Sequence, residues 1–176
     1  MRRAVFLDRD GVLVETHVRD GAAYAVTTLA EFRLEPGAAQ QVARLHAAGL
    51  VCIVFTNQPE VARGIIAPAV LDAMHDRLRA GMPIDDVYVC PHDQGDGCAC
   101  RKPLPGMLEA AAARWDVSLT DSFVIGDRWR DTEAGRAAGC YTILLERSYS
   151  GPTTPDARVA TLAEAVNLVL ARLNGG

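Results

Sequence analysis

The chain has 176 residues, 49% hydrophobic and 23% charged, with a net charge of −4. This length and composition predict one globular domain over residues 1–176, and the acidic balance argues against broad nucleic-acid binding. No apolar run approaches the roughly 20 residues of a membrane span, and Asp8 interrupts any signal-peptide core, so we expect a cytoplasmic protein with no membrane contact.

The first half of the chain alternates strand and helix patterns. Ala4 to Leu7 is a short apolar run typical of a buried strand, and the irregular segment after it, residues 12–28, is interpreted as a flap or hairpin. Three further elements are predicted: a helix from the Glu35-Pro36-Gly37 turn to just before Gly49, a strand over residues 50–55, and a helix from Pro68 to Gly81.

The second half continues the alternation. Short strands are predicted at residues 87–89, 122–125 and 141–145. A helix begins near Pro105, a second ends at Gly139, and the last starts at a capping box formed by Thr161 and Glu164. Strands that alternate with helices predict an α/β fold, in which a parallel sheet is covered by helices on both faces.

Polar side chains follow three of the predicted strands: Asp8 and Asp10, Thr56 and Asn57, and Asp127 and Asp131. Ligands of open α/β sheets bind at the carboxyl edge, where these strands end. Strand alternation places Asp8 and Asp10 on one face, where two carboxylates favour a divalent cation such as Mg²⁺. The alternative is a helix-capping aspartate followed by an Asp-Gly turn, with no chemistry.

Lys102 is the only lysine among the 18 basic residues. Arginine serves wherever this chain uses a generic cation, so Lys102 indicates a position that requires a compact ammonium group rather than a planar fork. The alternative is chance retention in an arginine-biased sequence.

Five cysteines are present, and three of them lie close together with a histidine. Cys90, His92, Cys98 and Cys100 offer a Cys₃His set suited to a closed, structural Zn²⁺ site that rigidifies its loop. The alternative is a group of free thiols beside a histidine. Cys52 lies in an apolar run and is interpreted as a small buried hydrophobe.

Four segments together resemble the motifs of the haloacid dehalogenase (HAD) phosphatase superfamily, in its order: residues 6–11 (FLDRDG), 55–57 (FTN), 101–103 (RKP) and 125–127 (IGD) with Asp131. The Cys/His cluster and residues 62–64 (ARG) are similar to a zinc-containing branch that holds heptose-bisphosphate and histidinol-phosphate phosphatases. The resemblance implies a Rossmann-like HAD fold and Mg²⁺-dependent hydrolysis of a small sugar phosphate, with a heptose bisphosphate favoured and histidinol phosphate left open.

The resemblance also implies the roles of the catalytic residues. Asp8 is expected to attack phosphorus and form an aspartyl-phosphate, and Asp10 to act as general acid and then base. Thr56, the Asn57 backbone N–H and Lys102 are expected to hold the phosphoryl oxygens.

The metal ligands follow in the same way. Mg²⁺ is expected on Asp8, Asp127 and the backbone carbonyl of Asp10, with Asp131 orienting metal-bound waters.

The intervals between the motifs leave no room for a large cap domain, so the resemblance implies an open site shaped by loops. Arg101 is the candidate for binding a second anionic end of the substrate, and His17 of the flap is a candidate substrate contact. The chain departs from the heptose enzymes at Pro59-Glu60 and Arg128, which leaves the sugar open. We expect a monomer.

Two other functions are compatible with parts of the pattern. A phospho-acceptor signalling domain also combines carboxylates, a threonine and a lysine, but it needs neither Asp10 nor a zinc loop. A zinc-stabilised binding module with an inactive phosphatase site is disfavoured because every catalytic position is filled.

Overall fold

A six-stranded parallel sheet forms the centre of the computed structural model, which describes residues 1–175. The strands of the molecule are, in chain order, β1 (Ala4–Leu7), β2 (His17–Arg19), β3 (Ala22–Tyr24), β4 (Val51–Asn57), β5 (Asp86–Cys90), β6 (Phe123–Gly126), β7 (Tyr141–Leu145) and β8 (Ala157–Val159). Across the sheet the order is β5-β4-β1-β6-β7-β8, while β2 and β3 pair separately as an antiparallel hairpin. This hairpin confirms the interpretation of residues 12–28.

Helices cover both faces of the sheet, as predicted. They are α1 (Ala38–Ala47), α2 (Pro68–Gly81), α3 (Gly106–Trp115), α4 (Trp129–Ala138) and α5 (Leu162–Asn174), with a 3₁₀ turn at Leu119–Asp121. A hydrophobic core lies on each face of the sheet, and alternate residues of β1 belong to one or the other. Val5 and Leu7 pack with α1, α2 and α5, whereas Phe6 packs with α3 and α4. All four residues of β1 are buried, which is why the strand reads as a continuous apolar run.

Helix ends follow the local signals in the sequence. Thr161 Oγ1 accepts the Glu164 backbone N–H at 3.2 Å, and the Glu164 carboxylate accepts the Thr161 N–H at 3.2 Å, which is the predicted capping box. Helix α2 begins at Pro68, whose missing N–H is not needed in the first turn. A side-chain cap such as that of Thr161 contributes about 1 kcal/mol to stability.

The sheet has one strand more than the sequence predicted. Strand β8 has only three residues, and its central Arg158 is exposed. Such a short edge strand has no apolar run from which to predict it, and it is defined by its pairing with β7.

The strand order determines where the site forms. Strands β5, β4, β1 and β6 are neighbours and run parallel, so their carboxyl ends lie side by side at one edge of the sheet. The chain leaves this edge at Cys90, Asn57, Leu7 and Gly126. The chemical residues predicted from the sequence lie at these positions or close to them in the chain.

Within residues 1–175 only the β2–β3 hairpin is inserted between β1 and α1, and only a loop and α2 lie between β4 and β5. The prediction of a fold without a large cap domain is therefore confirmed. None of the helices in this part of the chain combines the length and the hydropathy that a membrane span requires.

Candidate active site

Three buried carboxylates meet at the carboxyl edge of the sheet. Asp8 follows β1, Asp127 follows β6, and Asp131 lies in the first turn of α4, with one oxygen of each within 4.8 Å of the others. Asp131 Oδ2 accepts the Arg128 backbone N–H at 2.9 Å, which orients its carboxylate. Gly126 allows this approach, because a Cβ at that position would overlap the Asp131 side chain.

Asp127 is held by hydrogen bonds that leave one oxygen free. The Tyr149 hydroxyl donates to Asp127 Oδ2 at 2.7 Å, and Ser150 Oγ donates to the Asp127 backbone carbonyl at 2.6 Å. Asp127 Oδ1 is buried without a hydrogen-bond partner within the described residues. Gly11, with φ of 84°, passes so close that a Cβ would overlap the Asp127 carboxylate.

Lys102 is buried at the centre of the site, and its ammonium group has three acceptors. Nζ lies 2.8 Å from Asp8 Oδ1, 2.6 Å from Asp131 Oδ1 and 3.0 Å from the Phe55 carbonyl oxygen. These acceptors match the three N–H donors of an ammonium group, which accounts for a lysine at this position. Burial opposes the charge, but Asp131 and Asp8 outweigh it and raise the pKa of Lys102. The contact with Asp131 was not anticipated from the sequence.

The electrostatics of the site favour a divalent cation. Burial, reinforced by Asp131, raises the pKa of Asp8 to about 6, and burial together with Asp8 raises the pKa of Asp127 well above its usual value. Counted formally, four buried carboxyl groups, with Asp10 as the fourth, outnumber the two buried cations Lys102 and Arg9 by two. The unpartnered Asp127 oxygen and this imbalance fit a bound Mg²⁺.

Asp10, the other carboxylate of the opening motif, is held from two sides. Arg9 contacts both of its oxygens, with Nε 3.1 Å from Oδ1 and Nη2 2.9 Å from Oδ2. Gln58 Nε2 donates to Asp10 Oδ2 at 2.8 Å and also contacts Thr56 Oγ1 at 2.9 Å. Gln58 therefore links the ends of β1 and β4.

The end of β4 also fixes the lysine loop. Asn57 Nδ2 donates to the Lys102 carbonyl at 3.2 Å, and the Lys102 backbone N–H donates to Asn57 Oδ1 at 3.1 Å. The Asn57 side chain thus brackets the backbone of Lys102.

The predicted zinc ligands lie together beyond β5. Cys90 Sγ is 3.7 Å from Cys98 Sγ and 3.6 Å from His92 Nδ1, and His92 Nδ1 is 3.3 Å from Cys100 Sγ. All four ligand atoms lie within 4.8 Å of one another. Tetrahedral Zn–S bonds of about 2.3 Å place two sulfurs roughly 3.8 Å apart, so the cluster fits zinc.

A cavity of about 370 Å³ opens above the carboxylates. Arg101, Arg128 and Arg130 line it, and within residues 1–175 none of the three has a carboxylate within 4.0 Å. Burial and the two neighbouring guanidinium groups lower the pKa of Arg130. This unbalanced positive rim is suited to an anionic group. Arg130 was missed in the sequence, where a helix-start arginine looks like a solvated charge.

The loops complete the site. Arg101 Nη1 donates to the His92 carbonyl at 2.9 Å, so the Cys/His loop fixes the guanidinium. The hairpin contributes residues 23–25 to the cavity, and Arg128 Nη2 donates to the Ala23 carbonyl at 3.2 Å. His17 lies exposed on β2, opposite Tyr24. Its role as a substrate contact stays a prediction.

The resemblance inferred from the motifs is confirmed by comparison with known proteins. A family model described as HAD-hydrolase-like matches residues 99–173. D-glycero-beta-D-manno-heptose-1,7-bisphosphate 7-phosphatase of Bordetella bronchiseptica is 40% identical over 149 residues, covering 82% of this chain and 80% of that protein. The D-glycero-D-manno-heptose-1,7-bisphosphate 7-phosphatase of Thermosynechococcus vestitus is 37% identical, covering 98% and 97%.

A solved structure is similar over nearly the whole chain. The crystal structure of D,D-heptose 1,7-bisphosphate phosphatase from B. bronchiseptica complexed with magnesium and phosphate has a TM-score of 0.83 and 35% identity, covering 97% of this chain and 99% of that one. The chain therefore belongs to the HAD-like hydrolases, in the group of the heptose-1,7-bisphosphate 7-phosphatases.

Proposed function

We propose that this protein is a phosphoric monoester hydrolase that removes the 7-phosphate of D-glycero-D-manno-heptose 1,7-bisphosphate through an aspartyl-phosphate on Asp8. The observation that carries the proposal is the buried carboxylate of Asp8, which lies at the floor of the cavity 2.8 Å from Lys102 Nζ. The relatives named for this activity support the choice of substrate.

In the first step, an Asp8 carboxylate oxygen attacks phosphorus, and the bond between phosphorus and the sugar oxygen breaks. A protonated Asp10 gives its proton to the departing oxygen, so the sugar leaves as an alcohol. In the second step, water attacks the aspartyl-phosphate, Asp10 accepts the proton of that water, and the bond between Asp8 and phosphorus breaks. Both carboxylates return to their starting states.

Charge on the transferring phosphoryl group is stabilised by groups around Asp8. Lys102 lies within reach of both the nucleophile and a phosphoryl oxygen, and Thr56 and the Asn57 backbone N–H supply further donors at the end of β4. Asp131 also holds Lys102, at 2.6 Å. The lysine is therefore positioned before the substrate arrives.

Mg²⁺ would be held by Asp8, Asp127 and the backbone carbonyl of Asp10, with Asp131 beside it. When bound, it neutralises negative charge shared by the nucleophile and the phosphoryl group. Zn²⁺ would be held by Cys90 and the other three members of the Cys/His cluster, and its contribution is structural.

The arginine rim supports a substrate with two phosphates. Arg101, Arg128 and Arg130 are placed to bind the phosphate that is not cleaved, because a dianion balances their unpaired charge. The partner is thus a small phosphorylated sugar. We expect the protein to act as a monomer in the cytoplasm.

The nucleophile is tested by phosphate release with Mg²⁺. Asp8→Asn is expected to abolish turnover, whereas Asp72→Asn, which removes an exposed carboxylate on α2, is expected to leave it unchanged. Full turnover of D8N would overturn the proposal. A beryllium fluoride adduct bound anywhere other than at Asp8 would also overturn it.

The substrate is tested with a panel of heptose 1,7-bisphosphate anomers, histidinol phosphate and common sugar phosphates. The highest kcat/KM is expected for a heptose bisphosphate. A higher kcat/KM for histidinol phosphate would leave the proposed reaction unchanged but would overturn the proposed substrate.

A further inference from the structure

Arg9 is a charged side chain with no exposed surface, next to the carboxylates of the site. Arg9 lies two residues beyond the end of β1, in the bend between Asp8 and Asp10. Nε and Nη2 are bound to Asp10, and the guanidinium carbon lies 5.5 Å from the centre of the Phe32 ring. The remaining terminal nitrogen, Nη1, therefore needs a partner of its own.

That partner is His75 of α2, whose Nε2 lies 3.3 Å from Arg9 Nη1. A guanidinium group only donates hydrogen bonds, so His75 Nε2 must be the acceptor, and the proton of the neutral ring lies on Nδ1. His75 is itself only 4% exposed. Burial, together with the charges of Arg9 and Arg79, lowers the pKa of His75 to about 4, which is consistent with a neutral ring.

We infer that Arg9 and His75 are positioning residues for the general acid and base: His75 orients the Arg9 guanidinium group, and Arg9 holds the Asp10 carboxylate in its place beside Asp8. This inference rests on the proposed function, because it needs Asp10 to transfer the proton. It assigns a role to two side chains that do not line the cavity.

These contacts explain why the orientation of Arg9 by His75 matters for the reaction. When Asp10 gives up its proton, a negative charge develops on its carboxylate, and an oriented guanidinium group stabilises that charge through two hydrogen bonds. Without the His75 acceptor, Arg9 can rotate about its side-chain bonds to satisfy Nη1 elsewhere. Asp10 then loses the fork that fixes the plane of its carboxylate, although Gln58 still donates to one oxygen.

The test uses two substrates that differ in their need for a proton. Heptose 1,7-bisphosphate releases an alkoxide that must be protonated, whereas p-nitrophenyl phosphate releases a phenolate that leaves without a proton. His75→Leu is expected to slow single-turnover release of the heptose about tenfold, as part of the hundredfold or larger contribution of general acid catalysis. The rate of p-nitrophenolate release is expected to change less than twofold. The KM for each substrate is also expected to change less than twofold.

Three further variants separate positioning from stability. His75→Gln, whose amide can reach the position of Nε2, is expected to restore most of the heptose release, and His75→Asn, whose amide lies nearer Nδ1, is not. His46→Leu removes a half-exposed histidine of α1 and is expected to change neither rate. The Asn variant repeats the comparison in a polar side chain if the Leu variant does not fold.

Equal slowing on both substrates, or no difference between the Gln and Asn variants, would overturn the inference while leaving the proposed function intact. Wild-type protein that released phosphate from neither substrate would overturn the proposed function, and the inference with it. Asp10→Asn with unchanged heptose release would show that the proton comes from elsewhere; it would overturn the inference and the acid role of Asp10, and would leave Asp8 as the nucleophile of the proposed function.

Discussion

Replacement of Lys102 by methionine gives the most direct test of the site, because one ammonium group serves two carboxylates. Lys102→Met keeps the length of the side chain but removes the donors to Asp8, Asp131 and the Phe55 carbonyl. Lys102 is 4% exposed, Asp8 6% and Asp131 2%, so the loss leaves two buried carboxylates without their cation.

Breaking a buried ion pair in this way costs about 3–5 kcal/mol of folding free energy. The loss of one electrostatic donor to the transition state lowers kcat by about 10²–10³-fold. We therefore expect K102M to be both destabilised in urea denaturation and nearly inactive in phosphate release with saturating Mg²⁺. Lys102→Arg is also expected to lose most activity, because a planar fork cannot meet three converging acceptors.

The double variant K102M/D131N separates the two effects. It removes one negative charge along with the positive one, so we expect it to regain about half of the lost stability while remaining inactive. K102M with kcat within tenfold of the wild type would refute the reasoning. So would a double variant that regains activity together with stability.

Three other changes have defined outcomes. Cys98→Ser is expected to lower the zinc content, measured by elemental analysis. It is also expected to lower kcat, because Arg101 and Lys102 follow the cluster directly. The control Cys140→Ala, at a buried cysteine outside the cluster, should keep full zinc content. Arg130→Ala should raise KM for a bisphosphate several-fold and leave KM for a monophosphate unchanged, measured in steady-state phosphate release, and equal effects on both would contradict the second anion site. The pKa of His75 is lowered from 6.5 to about 4 in the folded protein, so protonation favours the unfolded chain, and stability that is present above pH 6.5 is lost as pH falls towards 4. This loss is at most about 3 kcal/mol, and His75→Gln should remove it from urea denaturation measured between pH 7 and pH 4.5.

Local patterns in the sequence were sufficient for most of the fold. The buried run Ala4–Leu7, the proline at the start of α2 and the Thr161–Glu164 capping box are each defined by a few neighbouring residues, and the structure has them where they were predicted. The motifs also placed the chemical residues at the carboxyl ends of strands. Alternating strands and helices then implied that these ends share one edge.

The tertiary structure alone decided which side chains meet. No local pattern in the sequence predicts that Arg9, between two aspartates, is buried; the packing of α2 on the sheet buries it beside His75. The contact between Lys102 and Asp131 likewise joins a loop after β5 to the start of α4. Such contacts depend on the order of strands in the sheet and on how the helices cross it.

The sequence by itself therefore determined the family, the elements and the chemical types of the site residues, because periodicity, capping and motifs act over a few neighbouring residues. The partners of each buried charge were decided by tertiary structure. A charge that loses its water must find compensation among residues far away in the chain, and their distance from it is set only when the sheet and helices have packed.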